Sequence, residues 1–243
     1  MTSEEWESVT YNRYAMLGEL EVTRGERKLR LFACACCRWI WHLLDDARSR
    51  NAVDMAEQYA DKSITKKALS IACGAAYAVA KRSSNPPVDS RESRARLTAA
   101  HAAYYASRLT KRLITEPPRA CSAAWVNWAT ARDVAWNAWL RAQDAAGKVG
   151  LSADYWSVAH CFLLELFNNP FRPVSWSAEW RTDTTLAIAR QMYELRDFSA
   201  MPILADALEE AGCDNPDLLG HCRNEGSHVR GCWAVDLILS KDR

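Results

Sequence analysis

Glycine is scarce in this chain, with 9 residues among 243, and no stretch keeps up the alternation of apolar and polar residues typical of a half-buried strand. These two absences exclude a turn-rich β fold. The chain also lacks an excess of charge of one sign, since its formal net charge is +1. No whole-protein field therefore favours nucleic acid or a membrane surface. No apolar run approaches the ~20 residues that a membrane-spanning helix needs.

The start of the sequence lacks the features of a secretory signal. Met1 is followed by TSEEWESV, which has neither a basic start nor an apolar run. We therefore expect a cytoplasmic protein that does not bind membranes. Its 9 cysteines would then be reduced and serve mostly as small buried apolar groups.

Sequence motifs of known catalytic machinery are missing as well. The chain has no phosphate-binding glycine loop, no HExxH and no GxSxG. His160 and Cys161 are adjacent, so on a helix their side chains diverge by ~100° and do not form a dyad. We predict no catalytic residue from the sequence.

Helical patterns fill most of the chain, and we predict an all-α fold, a bundle or irregular array of about 9–11 helices without a substantial sheet. Residues 26–44 are the most hydrophobic helix candidate and are expected to be central and buried. We expect one helical domain, 1–243. Paired prolines and polar residues at 83–90 suggest a sub-division into N-terminal helices (1–82), an Ala/Trp/Arg-rich helical hairpin (91–147) and C-terminal helices (151–243).

Two consecutive 11-residue units, AAWVNWATARD and VAWNAWLRAQD, repeat a pair of tryptophans. Eleven residues make almost three helical turns, so the recurring tryptophans return to one helix face. We call this set the tryptophan ridge, and it consists of Trp125, Trp128, Trp136 and Trp139. The ridge is expected to pack either in the protein's own core or against a partner helix.

The sharpest spacing of metal-ligand residues lies near the C-terminus. Cys213, Cys222, His228 and Cys232 are separated by eight, five and three residues. This spacing resembles the three-Cys, one-His zinc fingers that bind RNA, although the third and fourth ligand types are exchanged here. Three thiolates and one imidazole are a sound tetrahedral zinc set. The alternative is that these residues belong to ordinary helices with cysteines in the core, and zinc is the one cofactor that we consider.

Two further clusters can be interpreted either as functional sites or as ordinary structural features. Cys34, Cys36 and Cys37, with His42 one turn beyond, could hold a metal, but a mid-helix position among bulky apolar residues favours a core role. Residues 81–119 contain nine Lys or Arg and three acidic residues. This basic face could bind nucleic acid or could be an ordinary solvated surface. Its candidate phosphate-binding residues are Arg91, Arg94, Arg108, Lys111 and Arg112.

Four stretches together resemble an uncharacterised family common in planctomycete bacteria. They are ERKLRLFACACCRWIWHLL, LLELFNNPFRPV, MPILADALEEAGC and HCRNEGSHVRGCWAVDLIL. Members of that family often carry long Ala/Trp/Arg helical repeats in the middle. The resemblance implies a fixed N- and C-terminal framework around a variable helical insert, and it implies no activity.

Three functions remain open from the sequence. The first is a non-enzymatic helical interaction or scaffold protein, with a protein partner or self-association through the tryptophan ridge. The second is a nucleic-acid-associated protein that uses the basic face and a structural zinc site at the C-terminus. The third is a Cys/His-dependent enzyme, which lacks a recognisable base–nucleophile pair.

Overall fold

The computed structural model describes residues 2–8, 26–82, 90–108, 131–151 and 155–241. These residues form eleven α-helices and two short 3₁₀ helices, and none of them lies in a β-strand. The predicted all-α fold is confirmed. In chain order the helices are α1 (Ser3–Glu7), α2 (Glu26–Trp39), α3 (Ala47–Ala60), α4 (Lys66–Arg82), α5 (Arg91–Ser107), α6 (Ala131–Lys148), α7 (Tyr155–Phe167), α8 (Asp183–Leu195), α9 (Met201–Glu210), α10 (Pro216–Arg223) and α11 (Trp233–Leu239).

The chain divides into two compact units. The central unit is Asn12–His160, and the terminal unit combines Met1–Tyr11 with Cys161–Arg243. This division differs from the sub-division expected at the proline-rich breaks, which stays a prediction, as does the single domain. In the part of the chain that the structure describes, no helix is long and apolar enough to cross a membrane.

Helix α2 is the centre of the central unit, and it packs against α3, α5 and α6. Every residue from Lys28 to Cys37 is buried, as expected for a helix that is apolar nearly all round. The helix is shorter than predicted because the backbone turns at Ile40 into the 3₁₀ helix Trp41–Leu43. Asp46 then caps the start of α3 by accepting a hydrogen bond from the Arg48 amide.

Two arginines of α2 bind groups on neighbouring helices. Arg30 is almost fully buried, and its guanidinium donates to the carbonyls of Ala106 and Arg108 at 3.2 and 2.7 Å, at the end of α5. A cation at this position also complements the negative end of the helix dipole. Arg38 makes a two-pronged ion pair with the buried carboxylate of Glu57, with both N–O distances at 3.0 Å. These contacts fix α2 relative to α3 and α5.

Helices α5 and α6 form the most extensive helix–helix contact among the described residues of the central unit. Buried alanines on both helices allow this close contact. Small side chains let two helix axes approach closely, within the 8–10 Å typical of packed helices. The buried alanines of α5 are Ala95, Ala99, Ala100, Ala102, Ala103 and Ala106. Those of α6 are Ala135, Ala138, Ala142, Ala145 and Ala146.

The described part of the tryptophan ridge lies on α6. Trp139 is only 1% exposed, so it packs in the core of its own unit and offers no surface to a partner. Trp136 is half-buried, and its ring centroid lies 5.0 Å from that of Trp139. Trp125 and Trp128 lie outside the described residues. Partner binding by the ridge therefore stays a prediction, and Trp139 is a core residue.

The terminal unit begins with α1, whose residue Ser3 accepts a hydrogen bond of 2.9 Å from the Asn169 side chain after α7. Thr2 and Glu5 form a capping box at the start of α1. Helices α8 to α11 then share one apolar core. Its larger members are Tyr193, Met192, Met201, Leu204, Leu208, Leu218 and Trp233.

We expect Trp139→Ala to lower the free energy of unfolding by ~3–5 kcal/mol, because a large buried aromatic side chain is lost from the core. Leu140 is the next residue on α6 and is 38% exposed. Leu140→Ala should change the free energy of unfolding by no more than ~0.5 kcal/mol. Denaturant titration followed by circular dichroism measures both variants. Equal effects would contradict the core position of Trp139.

We also expect the three cysteines of α2 to resist alkylation in the folded protein. Burial raises the pKa of Cys34, Cys36 and Cys37 well above the ordinary value, so reactive thiolate is lacking. Cys161 is exposed and serves as the internal control. Timed iodoacetamide treatment and peptide mass spectrometry should show Cys161 modified before Cys34, Cys36 and Cys37. The α2 peptide should react only after denaturation, and early modification of that peptide would refute its burial.

Candidate metal centre

Four side chains of metal-ligand type converge in the terminal unit. They are Glu165, His221, His228 and Cys232, and one ligand atom from each lies within 4.8 Å of the others. We call this set the metal centre. Among the residues that the structure describes, it is the group of His, Cys, Asp and Glu side chains that could hold a metal ion.

Three elements bring these residues together. Glu165 comes from the last turn of α7, and His221 comes from the last turn of α10. Asn215 caps the start of α10, and Pro216 occupies its first position, where proline is favoured. Cys232 directly precedes α11. The metal centre therefore joins positions that are far apart in the sequence.

The loop between α10 and α11 places His228. The Asn224 side chain accepts a hydrogen bond of 3.2 Å from the Gly226 amide, which tightens the start of the loop. The loop ends at Gly231, whose φ of +92° is readily adopted only by glycine. The chain then enters α11 at Cys232.

Glu165 is the residue that all the others contact or approach. Its carboxylate lies 3.1 and 3.2 Å from Nδ1 of His228 and accepts from the Val229 amide at 3.3 Å. Its Oε2 lies 3.4 Å from Nε2 of His221. Nε2 of His228 lies 3.2 Å from the Asn224 carbonyl, which can only accept, so this nitrogen donates.

The two ring nitrogens of His221 contact two different side chains. Its Nε2 lies 3.2 Å from Sγ of Cys232. On the other side of the ring, the indole N–H of Trp233 donates to Nδ1 at 3.2 Å. The histidine is thus held between a thiol that belongs to the metal centre and an indole next to it.

Burial and the Glu165 charge set the protonation of these groups. Burial lowers the pKa of His221 to about 4, which keeps the ring neutral at neutral pH. Burial alone would also lower the pKa of His228, but the hydrogen bond and charge of Glu165 outweigh it and raise that pKa. Burial, and then the Glu165 charge, raise the pKa of the Cys232 thiol well above its ordinary value.

The four side chains fit a tetrahedral metal ion. Zinc binds nitrogen at ~2.0–2.1 Å and thiolate sulfur at ~2.3 Å, so neighbouring ligand atoms lie about 3.3–3.6 Å apart. The separations between Glu165 and His228, Glu165 and His221, and His221 and Cys232 are 3.1, 3.4 and 3.2 Å. These three separations are close to those values, and no two of the four ligand atoms are more than 4.8 Å apart.

A surface cavity lies beside one residue of the metal centre. It has a volume of about 420 Å³ and is lined by His228 together with Arg196, Phe198, Ser199, Pro202 and Asn224. A metal site needs an entry path, and this cavity is a candidate for it.

The structure brings together only two of the four ligands expected from the spacing. His228 and Cys232 belong to the metal centre, whereas Cys213 and Cys222 are buried in the apolar core of the terminal unit. Burial raises the pKa of Cys222 to about 12. On a helix, adjacent side chains diverge by ~100°, so Cys222 faces the core when His221 faces the metal centre. The metal centre therefore shares His228 and Cys232 with the set expected from the spacing.

Glu165 and His221 are the two members that the sequence reasoning missed. For His221 a local signal existed, because His221, His228 and Cys232 form a second set of ligand types at short spacing. For Glu165 no local signal existed, since it lies 63 positions from His228.

For the other candidate sites, the structural interpretation stays open beside the functional one. Cys34, Cys36 and Cys37 are buried in α2, and His42 beyond them is exposed. On the basic face, Arg91 and Arg94 are exposed, whereas Arg108 is half-buried and lies over the rings of Tyr104 and Tyr105. Lys111 and Arg112 lie outside the described residues. Nucleic-acid binding by this face stays a prediction.

We expect Glu165→Gln to lower the pKa of His228 below its ordinary value of 6.5 in protein treated with a chelator. The substitution removes the charge that raises this pKa and leaves the burial that lowers it. Two-dimensional NMR titration of the histidine ring protons gives the midpoint. Glu179→Gln, at an exposed position of the same unit, is the control and should leave the midpoint unchanged. An unchanged midpoint in Glu165→Gln would refute the Glu165–His228 ion pair.

Comparisons of the chain with protein-family models, with curated proteins and with solved structures found no match. The resemblance to a planctomycete family therefore stays a prediction.

Proposed function

We propose that the terminal unit binds one zinc ion through Glu165, His221, His228 and Cys232, and that the ion has a structural role. The observation that carries this proposal is the convergence of four ligand atoms within 4.8 Å of one another. In this view the protein is a non-enzymatic helical scaffold, in which zinc fixes α7 to α10 and to the start of α11.

The donor set supports zinc over other common ions. A thiolate and two imidazoles favour zinc, while the all-oxygen surroundings that magnesium and calcium prefer are lacking at this site. A carboxylate oxygen is also an accepted zinc ligand. The metal centre provides one carboxylate, two imidazoles and one thiol.

The environment of His228 supports the same conclusion. Histidines that bind metals usually donate their second ring N–H to a carbonyl or carboxylate, which fixes the ring orientation. Nε2 of His228 already donates to the Asn224 carbonyl at 3.2 Å, and Nδ1 faces the Glu165 carboxylate. The ring is therefore oriented for binding through Nδ1.

The number of protein ligands favours a structural role. Catalytic zinc sites keep three protein ligands and one open position, whereas structural sites are closed by four. Here four side chains are available, and all four are largely shielded from solvent. Zinc in such a site would neutralise the buried carboxylate and join three segments of the chain.

A Cys/His-dependent enzyme is the less favoured alternative. Sγ of Cys232 lies close to Nε2 of His221, as in a nucleophile–base pair. However, burial raises the thiol pKa and lowers the imidazole pKa. A reactive thiolate–imidazolium pair requires the opposite shifts and partial exposure of the sulfur.

Nucleic-acid association also ranks below the scaffold. Of its described candidate residues, Arg108 is half-buried beside tyrosines, which limits its access to a phosphate. The unknown partner of the scaffold is a protein or a second copy of the chain, with Trp136 as the described ridge residue that keeps some exposed surface.

We expect about one zinc ion per chain in untagged protein purified without chelator, as measured by elemental analysis. Cys232→Ala should lose the zinc because a ligand is removed, while Cys213→Ala and Cys222→Ala should retain it. All three variants remove a buried thiol of the terminal unit, so they are matched for loss of packing. Circular dichroism checks that each variant is folded.

Two outcomes would contradict the proposal. Absence of zinc from the wild-type protein, even after incubation with zinc salt, would refute the zinc site. Loss of zinc from folded Cys213→Ala and Cys222→Ala, as well as from Cys232→Ala, would instead favour the Cys/Cys/His/Cys set expected from the spacing.

A further inference from the structure

The hydrogen bond from Trp233 decides which nitrogen of His221 carries its proton. An indole N–H can only donate, and it donates here to Nδ1 of His221 at 3.2 Å. Nδ1 must therefore present a lone pair. A neutral imidazole carries one proton, so that proton lies on Nε2.

The proton on Nε2 points into the metal centre. Nε2 lies 3.2 Å from Sγ of Cys232 and 3.4 Å from Oε2 of Glu165, and both atoms can accept a hydrogen bond. His228 has the opposite arrangement, because its distal nitrogen donates to the Asn224 carbonyl and its Nδ1 faces the metal centre. To bind a metal through Nδ1, His228 keeps its proton on Nε2 and releases the proton that Nδ1 donates to the Glu165 carboxylate.

A metal ligand must offer a lone pair. As long as Nδ1 of His221 accepts from Trp233, Nε2 carries the proton and has no lone pair to offer. For His221 to bind a metal through Nε2, the Nε2–H bond must break and a proton must be added at Nδ1. The ring then keeps one proton and stays neutral. The new N–H at Nδ1 would point at the indole N–H, and because two donors cannot share a hydrogen bond, that contact must open.

We infer that Trp233 is a positioning residue that holds His221 in its non-ligating tautomer, and that metal binding breaks the Trp233–His221 hydrogen bond. This inference rests on the proposed zinc site. Metal binding then carries a built-in cost, because one hydrogen bond must be lost. It also predicts that metal binding is accompanied by a movement of Trp233 or of the His221 ring.

The magnitude of this cost decides which state prevails. A neutral hydrogen bond in a protein is worth a factor of about 2 to 12 in an equilibrium constant. A fourth zinc ligand contributes more than a single such bond, since even residues outside the ligand shell change metal affinity by about 10- to 100-fold. Zinc therefore displaces the indole hydrogen bond, and its affinity is reduced by about 2- to 12-fold.

The first test follows the tautomer in the wild-type protein, without any substitution. Long-range ¹H–¹⁵N correlation spectra distinguish a proton on Nε2 from a proton on Nδ1. We expect His221 to carry its proton on Nε2 in chelator-treated protein and on Nδ1 after addition of zinc chloride. The indole N–H resonance of Trp233 should shift on the same addition.

The second test measures zinc affinity by competition with a chromophoric chelator. Trp233→Phe removes the indole N–H and keeps an aromatic ring, so we expect zinc to bind about 2- to 12-fold more tightly. Trp180→Phe is the matched control, because Trp180 is a buried tryptophan of the same unit whose ring packs against Trp176. Its zinc affinity should equal that of the wild type.

The outcomes separate the two proposals. Failure of the wild-type protein to take up zinc would overturn the proposed function. Zinc uptake with His221 still protonated on Nε2 would overturn the inference on Trp233 alone and would reduce the protein ligands to three. A proton on Nδ1 in the chelator-treated protein would also overturn it, as would unchanged or weaker zinc binding in folded Trp233→Phe.

Discussion

The Glu165 carboxylate is the constraint on which the metal centre depends. A carboxylate that is largely removed from water is stable only when a positive charge or several hydrogen-bond donors face it. Here a histidine, a backbone amide and a second histidine meet it from α10 and from the loop before α11. Each donor holds one segment of the chain against Glu165. The hydrogen bonds that stabilise this buried charge therefore also determine how the end of the chain folds. The same oxygens that accept these donors could bind a metal ion, so one arrangement could serve both the metal-free and the metal-bound state.

Metal-free and metal-bound states of this site would differ mainly in where protons lie. Without metal, the raised pKa of His228 allows an ion pair with Glu165, while Cys232 and His221 remain neutral. With zinc, the positive charge of the ion replaces that of His228, and protons leave His228 and Cys232. The buried carboxylate is compensated in both cases. A site of this kind can therefore fold without metal, unlike small zinc fingers that are unfolded in its absence.

Local features of the fold were predictable from the sequence, whereas the metal centre was predictable only in part. Helix starts depend on residues close in sequence, and Thr65 and Thr182 cap the starts of α4 and α8. The composition of residues 91–147 likewise predicted helices, and α5 and nearly all of α6 lie in this range. In contrast, Glu165 joins the site from α7, and no pattern within α7 distinguishes it from a surface glutamate. Cys222 lies in the apolar core and not in the metal centre, because a spacing rule does not specify which helix face a residue occupies.

The number of cysteines in this chain is a poor guide to its function, because sequence spacing does not show which face of a helix a cysteine occupies. Five of the buried cysteines, on α2, on α10 and after α9, pack as small apolar groups, and burial raises their pKa. Cys232 is equally buried, but it is the one placed against a histidine and near a carboxylate. Burial alone therefore does not separate a core thiol from a ligand thiol. What distinguishes Cys232 is that a histidine and a carboxylate both lie close to its sulfur, where α7, α10 and α11 converge.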